Sequence, residues 1–513
     1  MARPAAKKAA GTGRKTGTSA GRKKPASPSS TATGGGPKPP ASATTGLPRV
    51  RIRMYRQGVG DAFLLTFATG AGPAHILIDC GLLLGSPDSK QWMQRVASNV
   101  AAETQGQVNA IVGTHPHWDH LSGFIDAQEI FQKQLKTDEV WLSWAENPRD
   151  PAARAGKEKR ALQLAAIDRA LAQFAAADSP ELRERADAIA QLLAFHGPLG
   201  ASGGRSTEAA LDVLRKLVTT PAYLEPGALI APKWLPGVRA YVLGPPRDQK
   251  LLGKMLGKVG SEMYGLGADA GFYAALLARA AGDDREAKAA EARSRPFDAT
   301  LLWPARAAAK NPALADVARR YVARDEQWRK IDEAWLLSAE ELALQLDNVI
   351  NNLSMVLAFE LVDSGEVLLF AADAQVGNWL SWQSLAFKVK GADGEKVVRS
   401  RDLLAQTVFY KVGHHGSHNA TLKDGGLEAM THPGLVAAIP VNQAFANDTK
   451  RWEMPAPVLY PALVEKTEKR IIRSDGKGPA AGDPRRPSTD KGFLARVSVD
   501  PAKDSLYVDY RLD

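Results

Sequence analysis

Cysteine is almost absent from this sequence, which has a single one, Cys80, among 513 residues. An intrachain disulfide is therefore impossible, which fits a reducing compartment. No stretch approaches the roughly 20 consecutive apolar residues of a membrane helix, and the first residues lack the apolar segment of a secretory signal. We therefore expect a cytoplasmic protein without a membrane anchor. Cys80 ends an apolar run, where we expect a small buried residue rather than a thiolate ligand.

Acidic residues are missing from the first 49 residues, which contain ten basic ones. The remainder of the chain is formally neutral, with 56 basic and 56 acidic residues. Residues 1–48 are rich in Ala, Gly, Ser, Thr and Pro, so they have too little apolar surface to offset the entropy of an ordered chain. We expect a disordered basic tail there. Such a tail would bind nucleic acid through its phosphates without sequence preference, or serve only as a solubilising extension.

Histidine is scarce as well, yet three of the nine histidines fall within the segment Thr114-His115-Pro116-His117-Trp118-Asp119-His120. Neutral imidazole and carboxylate are the N and O ligands that zinc and similar divalent ions prefer. His115 and His117 are two residues apart, so an extended or tightly turned backbone directs both to one side. Asp119 and His120 then face a second position. The segment predicts two metal ions, because a loop with incidental histidines would rarely concentrate them in this way.

Short apolar segments dominate the sequence from Arg49 onward and predict β-strands. Two long Ala-rich stretches with helical spacing interrupt them, at about 150–218 and about 248–348. Metal-type residues lie on both sides of these stretches, which favours one domain over residues 49–513 with two helical insertions. The pattern predicts an α+β protein with a sheet-rich core. The predicted strands cover 49–55, 62–67, 75–79, 111–112, 239–245, 354–359, 367–370, 408–412, 435–441, 493–499 and 506–510.

Two later strand ends carry further metal-type residues. The apolar run 367–372 ends at Asp373, and the strand 408–412 is followed by Gly413-His414-His415-Gly416-Ser417-His418. Glycines beside the adjacent histidines leave the backbone free to bring an imidazole to a metal. Alone, Asp373 would be an ordinary turn residue. Together with the segment 114–120, these residues predict the second half of a two-metal site.

Several motifs occur in the order of a known superfamily. With them the chain resembles the metallo-β-lactamase fold superfamily and, within it, the soluble hydrolase domain of the ComEC/Rec2-type DNA-uptake proteins. The resemblance covers about 50–125, 238–246 and 350–475, and it leaves out the tail and both insertions. The motifs are Gly58-Val59-Gly60-Asp61-Ala62, Leu77-Ile78-Asp79-Cys80-Gly81, His115-Pro116-His117-Trp118-Asp119-His120-Leu121-Ser122-Gly123, Asn351-Asn352-Leu353-Ser354, Leu368–Asp373 and His414-His415-Gly416-Ser417.

The resemblance implies an αββα sandwich with two divalent metal ions, zinc or else manganese, at one edge of the sheets. It also implies that Asp79 orients a ligand imidazole through the free N–H of that ring. The implied ligands are His115 and His117 for the first ion, Asp119 and His120 for the second, Asp373 as a bridge, and His415 or His414 to complete a coordination sphere.

The sequence departs from the family pattern at Met454. Members of this subgroup often carry a histidine in a His-Pro step there, whereas this chain has Glu453-Met454-Pro455. One ion would then be held less completely, or with help from Glu453. His196 could substitute in principle, but it continues the apolar face of a helix, so we expect a packed histidine at the end of that helix.

The predicted chemistry is hydrolysis by a water that two metal ions activate. Asp119 would orient the hydroxide and manage its proton, and His414, if not a ligand, would donate a proton or hydrogen bond to the leaving oxygen. Asn352 and Ser417 would position substrate, or equally stabilise turns. Three functions remain open: hydrolysis of phosphodiesters in nucleic acid or nucleotides, hydrolysis of a lactone, lactam or thioester, and a non-enzymatic metal-containing binding module.

Overall fold

Two β-sheets form the core, and their strands come from both sides of the helical insertions. Residues 1–48, for which we predict disorder, and most of the second insertion lie outside the described residues, so those predictions stand without a structural test. The described residues all belong to one compact unit. The computed structural model describes residues 49–175, 180–198, 205–254, 285, 305–321, 323, 334–391, 394–478 and 480–513.

The first sheet has eight strands within the described residues. They are β1 (Val50–Tyr55), β2 (Ala62–Thr69), β3 (Gly72–Cys80), β4 (Gln107–Gly113), β5 (Lys136–Ser143), β6 (Ala222–Leu224), β16 (Val497–Val499) and β17 (Tyr507–Leu512). Their spatial order is β16-β17-β1-β2-β3-β4-β5-β6. Strands β3, β4, β5 and β6 run parallel, whereas β1 pairs antiparallel with both β2 and β17. The sheet is therefore mixed.

The second sheet has seven strands in the same part of the chain. They are β7 (Leu229–Ile230), β8 (Val238–Gly244), β9 (Val356–Leu361), β10 (Val367–Phe370), β13 (Thr407–Lys411), β14 (Val436–Ile439) and β15 (Ile471–Arg473). Their spatial order is β15-β14-β13-β10-β9-β8-β7, with β10, β13, β14 and β15 parallel. A separate hairpin consists of β11 (Ala386–Gly391) and β12 (Gly394–Arg399).

Alternation along the strands places the two sheets face to face. Ile76 and Ile78 of β3 belong to one buried core with Leu357 of β9, whereas Leu77 faces the other way. This is the two-residue period of a strand that is buried on both faces. Phe63 and Phe370 meet edge to face across the interface, with ring centroids 5.6 Å apart.

Helices cover the outer face of each sheet. The face of the first sheet that carries Leu77 packs on the helices Ser89–Glu103, Trp118–Asp126 and Thr207–Lys216. The outer face of the second sheet packs on the helices Val376–Trp382, Ser400–Ala405 and Leu459–Lys466. The helices are α1 (Ser89–Glu103), α2 (Trp118–Asp126), α3 (Gln128–Lys133), α4 (Pro151–Ala175), α5 (Pro180–Leu193), α6 (Thr207–Lys216), α7 (Gln249–Leu252), α8 (Ala305–Lys310), α9 (Ala315–Tyr321), α10 (Ala334–Asn352), α11 (Val376–Trp382), α12 (Ser400–Ala405), α13 (Leu459–Lys466) and α14 (Lys491–Arg496).

The two helical insertions pack on each other. Ile167 of α4, Ile189 of α5 and Leu346 of α10 belong to one buried apolar cluster that is separate from the sheet cores. We call α4, α5 and α10 the helical unit. A long segment that includes β6, β7 and β8 separates α5 from α10 in the sequence, so their contact could not be inferred from local periodicity.

The fold is α+β with mixed sheets, as the sequence predicts. The predicted strand 493–499 is wrong over its first part, where α14 runs to Arg496 and only Val497–Val499 is extended. The side chain of Asp490 accepts a hydrogen bond from the Phe493 backbone N–H and so caps the helix. The sequence analysis also missed β5, whose exposed Lys136 and Asp138 dilute its apolar pattern. None of the described helices is long and apolar enough to cross a membrane.

Candidate metal centre

The segment from Thr114 to His120 leaves strand β4 and turns into helix α2. Two glycines let other segments approach it closely. A Cβ on Gly81 would lie 2.2 Å from the carbonyl carbon of Asp119, and a Cβ on Gly60 would lie 2.7 Å from the carbonyl oxygen of Asp119. The backbone N–H of Asp61 donates to that carbonyl at 3.0 Å. The two glycine-containing motifs are therefore seated directly against this segment.

Four buried side chains converge where strands of both sheets end. They are Asp61, His120, Asp373 and His415, and we call them the sheet-edge cluster. One potential ligand atom from each lies within 4.8 Å of those of the other three. His120 Nε2 lies 3.1 Å from Asp373 Oδ2, and His415 Nε2 lies 2.9 Å from Asp119 Oδ2. The structure thus brings predicted ligands of distant segments together and adds Asp61, which the sequence analysis did not assign as a ligand.

Neighbouring acceptors orient the two histidines of the sheet-edge cluster. Asp79 Oδ2 lies 2.7 Å from His120 Nδ1, and the carboxylate also accepts hydrogen bonds from the backbone N–H and the hydroxyl of Thr114. The carbonyl oxygen of Pro440 lies 2.7 Å from His415 Nδ1. Such acceptors hold the ring proton on Nδ1 and leave the Nε2 lone pair free for a metal. Asp79 therefore makes the contact expected of a residue that orients a ligand imidazole.

His415 and His414 occupy different positions, although they are adjacent in the sequence. Both have left-handed backbone conformations, with φ of 52° and 39° respectively, a strained arrangement for residues other than glycine. His415 belongs to the sheet-edge cluster. His414 Nδ1 instead lies 3.2 Å from Gln375 Nε2, while its backbone N–H donates to Asp373 Oδ1. Of the two ligands that the resemblance leaves open, the geometry favours His415.

Lys411 places a buried ammonium group beside the sheet-edge cluster. It forms ion pairs with Asp61 and with Asp373 Oδ1, the latter at 3.3 Å, and donates to the Ala372 carbonyl oxygen at 2.8 Å. Burial alone would lower the pKa of Lys411, but the two carboxylates outweigh it and raise that pKa. Sequence reasoning missed this residue, although a lysine at the end of an apolar strand is itself an unusual signal.

A second group lies where the helical unit meets the segment 114–120. His117, His196 and Asp347 are buried, and one potential ligand atom from each lies within 4.8 Å of the others. We call them the helix-side cluster. His117 Nε2 is 3.7 Å from Asp347 Oδ1, and the rings of His117 and His196 are 5.1 Å apart. The expectation that His196 is a packed histidine is right about burial but missed its position beside His117.

His115 lies next to the helix-side cluster without being one of its members. Its Nε2 atom faces His117 Nδ1 at 3.1 Å, and its Nδ1 atom lies 3.1 Å from the hydroxyl of Thr114. The ring of His115 also lies against that of His120, with centroids 4.2 Å apart. His115 therefore stands between the two clusters, which form one continuous buried polar region.

The two clusters differ in charge. Burial favours neutral His120, but Asp373 and its neighbouring carboxylates raise the pKa of His120 well above its ordinary value. Burial would raise the pKa of Asp373, yet His120 and nearby cations hold it well below the usual range. On the other side, burial and adjacent carboxylates raise the pKa of Asp347 well above its ordinary value. Burial lowers the pKa of His117 well below its ordinary value and that of His196 to about 4.

Buried polar atoms without a hydrogen-bond partner are concentrated in these clusters. An unpaired buried donor or acceptor costs about 1–3 kcal/mol, so most such atoms in proteins are paired. The donor set of imidazole nitrogens and carboxylate oxygens is the one that divalent cations take. The residues present therefore fit metal ions, without indicating which metal or how many. The unpartnered atoms include Asp61 Oδ1, His117 Nε2, Asp119 Oδ1, His120 Nε2, His196 Nε2, Asp347 Oδ1, Asp373 Oδ2 and His414 Nε2.

The structure gives three other predicted residues different surroundings. Asn352 is fully buried; its amide donates to the Leu252 carbonyl oxygen and its Oδ1 accepts from the Asn378 backbone N–H. Ser417 donates to Asn419 Oδ1 within a turn, which favours the turn-stabilising alternative. Met454 packs in the core of the second sheet, so no ligand stands at that place.

A cavity of about 400 Å³ opens beside the helix-side cluster. His196 and Pro116 line its inner end, and Leu164, Leu346 and Ile350 of the helical unit form apolar walls. The charged side chains around it are largely paired with each other, as in the Lys157–Glu208 and Arg215–Glu208 ion pairs. The cavity therefore offers a small molecule a route toward His196.

Comparison with known proteins adds no family to this picture. No protein-family model matches the sequence, and no curated protein matches it.

Proposed function

We propose that the chain is a metal-dependent hydrolase of the metallo-β-lactamase fold superfamily that cleaves phosphodiester bonds in nucleic acid or nucleotides. The observation that carries this proposal is the convergence of unpartnered imidazole and carboxylate atoms from strand ends of both sheets. The order of layers, helices against each outer face of two facing sheets, supports the αββα sandwich that the resemblance implies. Four motif residues of that resemblance, Asp61, His120, Asp373 and His415, make up the sheet-edge cluster.

Two divalent ions, with zinc the first candidate, would lower the pKa of a water toward neutrality and stabilise charge on the phosphoryl oxygens. One ion would be held by the sheet-edge cluster together with Asp119. His117 would hold the other ion, with His115 Nε2 facing His117 Nδ1 at 3.1 Å. Asp79 and the Pro440 carbonyl keep the ligand nitrogens of His120 and His415 directed inward.

Two side chains are placed to handle protons. Asp119 Oδ1 has no hydrogen-bond partner, so it can accept a proton from the attacking water while Asp119 Oδ2 contacts His415. Burial lowers the pKa of His414 to about 4, so its imidazole is neutral near pH 7. Because the Gln375 amide donates to His414 Nδ1, the ring proton resides on Nε2. His414 Nε2–H is then free to donate a hydrogen bond to the leaving oxygen.

A second candidate is hydrolysis of a lactone, lactam or thioester by the same centre. The apolar walls of the cavity favour it, because a compact ester with an apolar group fits about 400 Å³ better than a nucleic-acid strand does. The attacking water and the charge stabilisation would be the same for both substrates, so the pocket decides between them.

The test is turnover by zinc-loaded protein of bis-p-nitrophenyl phosphate, of plasmid and single-stranded DNA, and of nitrocefin. Phosphodiester cleavage that falls about 100- to 1,000-fold in His120→Ala supports the first function, since each group that stabilises transition-state charge contributes on this order. His418→Ala is the matched control, because His418 is an exposed histidine in the adjacent turn. Opening of nitrocefin without phosphodiester cleavage would favour the second candidate. No turnover by fully loaded protein would leave only a metal-containing binding module.

A further inference from the structure

The helical unit directs a carboxylate at the metal-binding motif. Asp347 lies on α10, and its Oδ2 atom accepts a hydrogen bond from Asn351 Nδ2 at 3.0 Å, one helical turn further on. That bond fixes the carboxylate and leaves Oδ1 buried without a partner. Oδ1 faces His117 Nε2 at 3.7 Å, and this nitrogen also lacks a partner.

His196 brings a third unpartnered atom to the same place. It ends the 3₁₀ turn that continues α5, and its Nε2 atom is buried with no hydrogen-bond partner. The three residues come from the metal-binding motif, the first insertion and the second insertion. Three buried donors of the types that zinc prefers therefore meet at one point, although none of them forms a hydrogen bond with another.

We propose that His117, His196 and Asp347 form a metal-binding position that takes a divalent cation of the zinc type, with the helical unit supplying two of its three protein ligands. The proposal rests on the proposed function only in assuming that the centre binds cations. It assigns the helical insertions a role as part of the metal site.

The distances fit a shared cation better than a hydrogen bond. A separation of 3.7 Å between His117 Nε2 and Asp347 Oδ1 is too long for an N–H···O bond. Two ligands bound to one zinc at about 2.0–2.2 Å in tetrahedral geometry are separated by about 3.3–3.6 Å. A small adjustment of either side chain would satisfy that geometry. A cation bound to both atoms would remove the free-energy cost of leaving His117 Nε2 and Asp347 Oδ1 buried without hydrogen-bond partners.

Of the three residues, His196 borders a cavity. The cavity beside the helical unit reaches His196, and Leu346 and Ile350 on α10 line its wall. A cation or a metal-bound water could therefore be reached through it. Because Leu346 also belongs to the apolar core of the helical unit, an ion held by Asp347 would fasten that unit to the motif segment.

The experiment is a zinc count on the full chain. The protein is stripped with EDTA, reloaded with zinc chloride, separated from free metal, and analysed for zinc per chain, while circular dichroism monitors folding. We expect two equivalents in the parent chain and one in Asp347→Asn, which keeps the size of the side chain but removes its charge. Asp168→Asn is the matched control, because Asp168 lines the same cavity outside the cluster, and it should keep two.

His196→Gln provides an independent variant if Asp347→Asn does not fold. Cobalt substitution adds a second readout, since the visible absorption of the ion reports its ligands. Two equivalents with an unaltered cobalt spectrum in both variants would overturn the proposal. That outcome would leave the hydrolase function intact if turnover persists. Conversely, loss of one equivalent in both variants of a chain that hydrolyses nothing would uphold the metal position and remove the hydrolase.

Discussion

The sheet-edge cluster and the helix-side cluster use similar side chains but differ in how they are built. Residues of the sheet-edge cluster lie near strand ends, and the parallel pairs β3–β4 and β10–β13 bring such ends to a common edge. Residues of the helix-side cluster need the helical unit to be folded. The sheet-edge cluster has a cation beside it, Lys411, whereas the helix-side cluster has neutral histidines facing a carboxyl group. The sheet-edge cluster is therefore organised before a metal ion binds, whereas the helix-side cluster would be stabilised more by the bound ion.

Replacing Lys411 should have the largest effect on stability, because it removes the cation beside the sheet-edge cluster. Lys411→Met removes the buried ammonium partner of Asp61 and Asp373, so we expect the free energy of unfolding of metal-free protein to fall by about 3–5 kcal/mol. With zinc bound the loss should be smaller, because the ion supplies the missing charge. Urea unfolding of EDTA-treated and zinc-loaded protein measures both. Lys423→Met, at an exposed lysine, is the control. Equal losses of unfolding free energy in EDTA-treated and zinc-loaded protein would contradict a cation site at the sheet-edge cluster.

Weakening the contact between Asp79 and His120 should lower zinc affinity at the sheet-edge cluster more than at the helix-side cluster. Asp79→Asn weakens the hold on His120 Nδ1, so we expect zinc affinity at the sheet-edge cluster to drop about 10- to 100-fold. The helix-side cluster makes no contact with Asp79 among the described hydrogen bonds and ion pairs, so its affinity should change little. Calorimetric titration with zinc resolves the two steps. Asp138→Asn, at an exposed carboxylate, is the control; uniform weakening of both steps would refute the distinction.

The smallest effect is expected from residues outside both clusters. Deleting residues 1–48 removes nine basic side chains and no acidic one, so retention of the protein on DNA-cellulose at low salt should weaken. Zinc content and turnover of bis-p-nitrophenyl phosphate should stay the same. Unchanged retention would show that the tail does not bind DNA. A fall in zinc content would tie the tail to the clusters.

Local spacing explains why the sequence predicts one cluster better than the other. The run from His115 to His120 is short enough that backbone geometry alone places its ligands, and Asp373 and His415 each follow a recognisable apolar strand. His196 and Asp347 lie in Ala-rich helical sequence, where periodicity gives no indication of a partner that is distant along the chain. Only the packing of α5 against α10 reveals them, and that contact depends on tertiary structure.

Other features that the sequence did not reveal have equally physical causes. Asn352 belongs to a motif, yet motif membership does not distinguish a residue that contacts substrate from one that binds backbone groups. Asp61 was overlooked because single acidic residues beside a turn are common, and only its burial makes it unusual. The fold class followed from periodicity, whereas the strand β5 was lost because polar residues mask its pattern.

Pairing of β1 with β17 joins the first described strand to the last, with Val50 opposite Leu512. Strand β17 must therefore be synthesised before β1 gains its second neighbour, and until then one edge of β1 exposes unpaired amide and carbonyl groups. Contacts between such distant residues form slowly. Nascent or C-terminally clipped chains should thus be the species that chaperones and proteases encounter, and trimming only the final strand should be enough to send the polypeptide to aggregation.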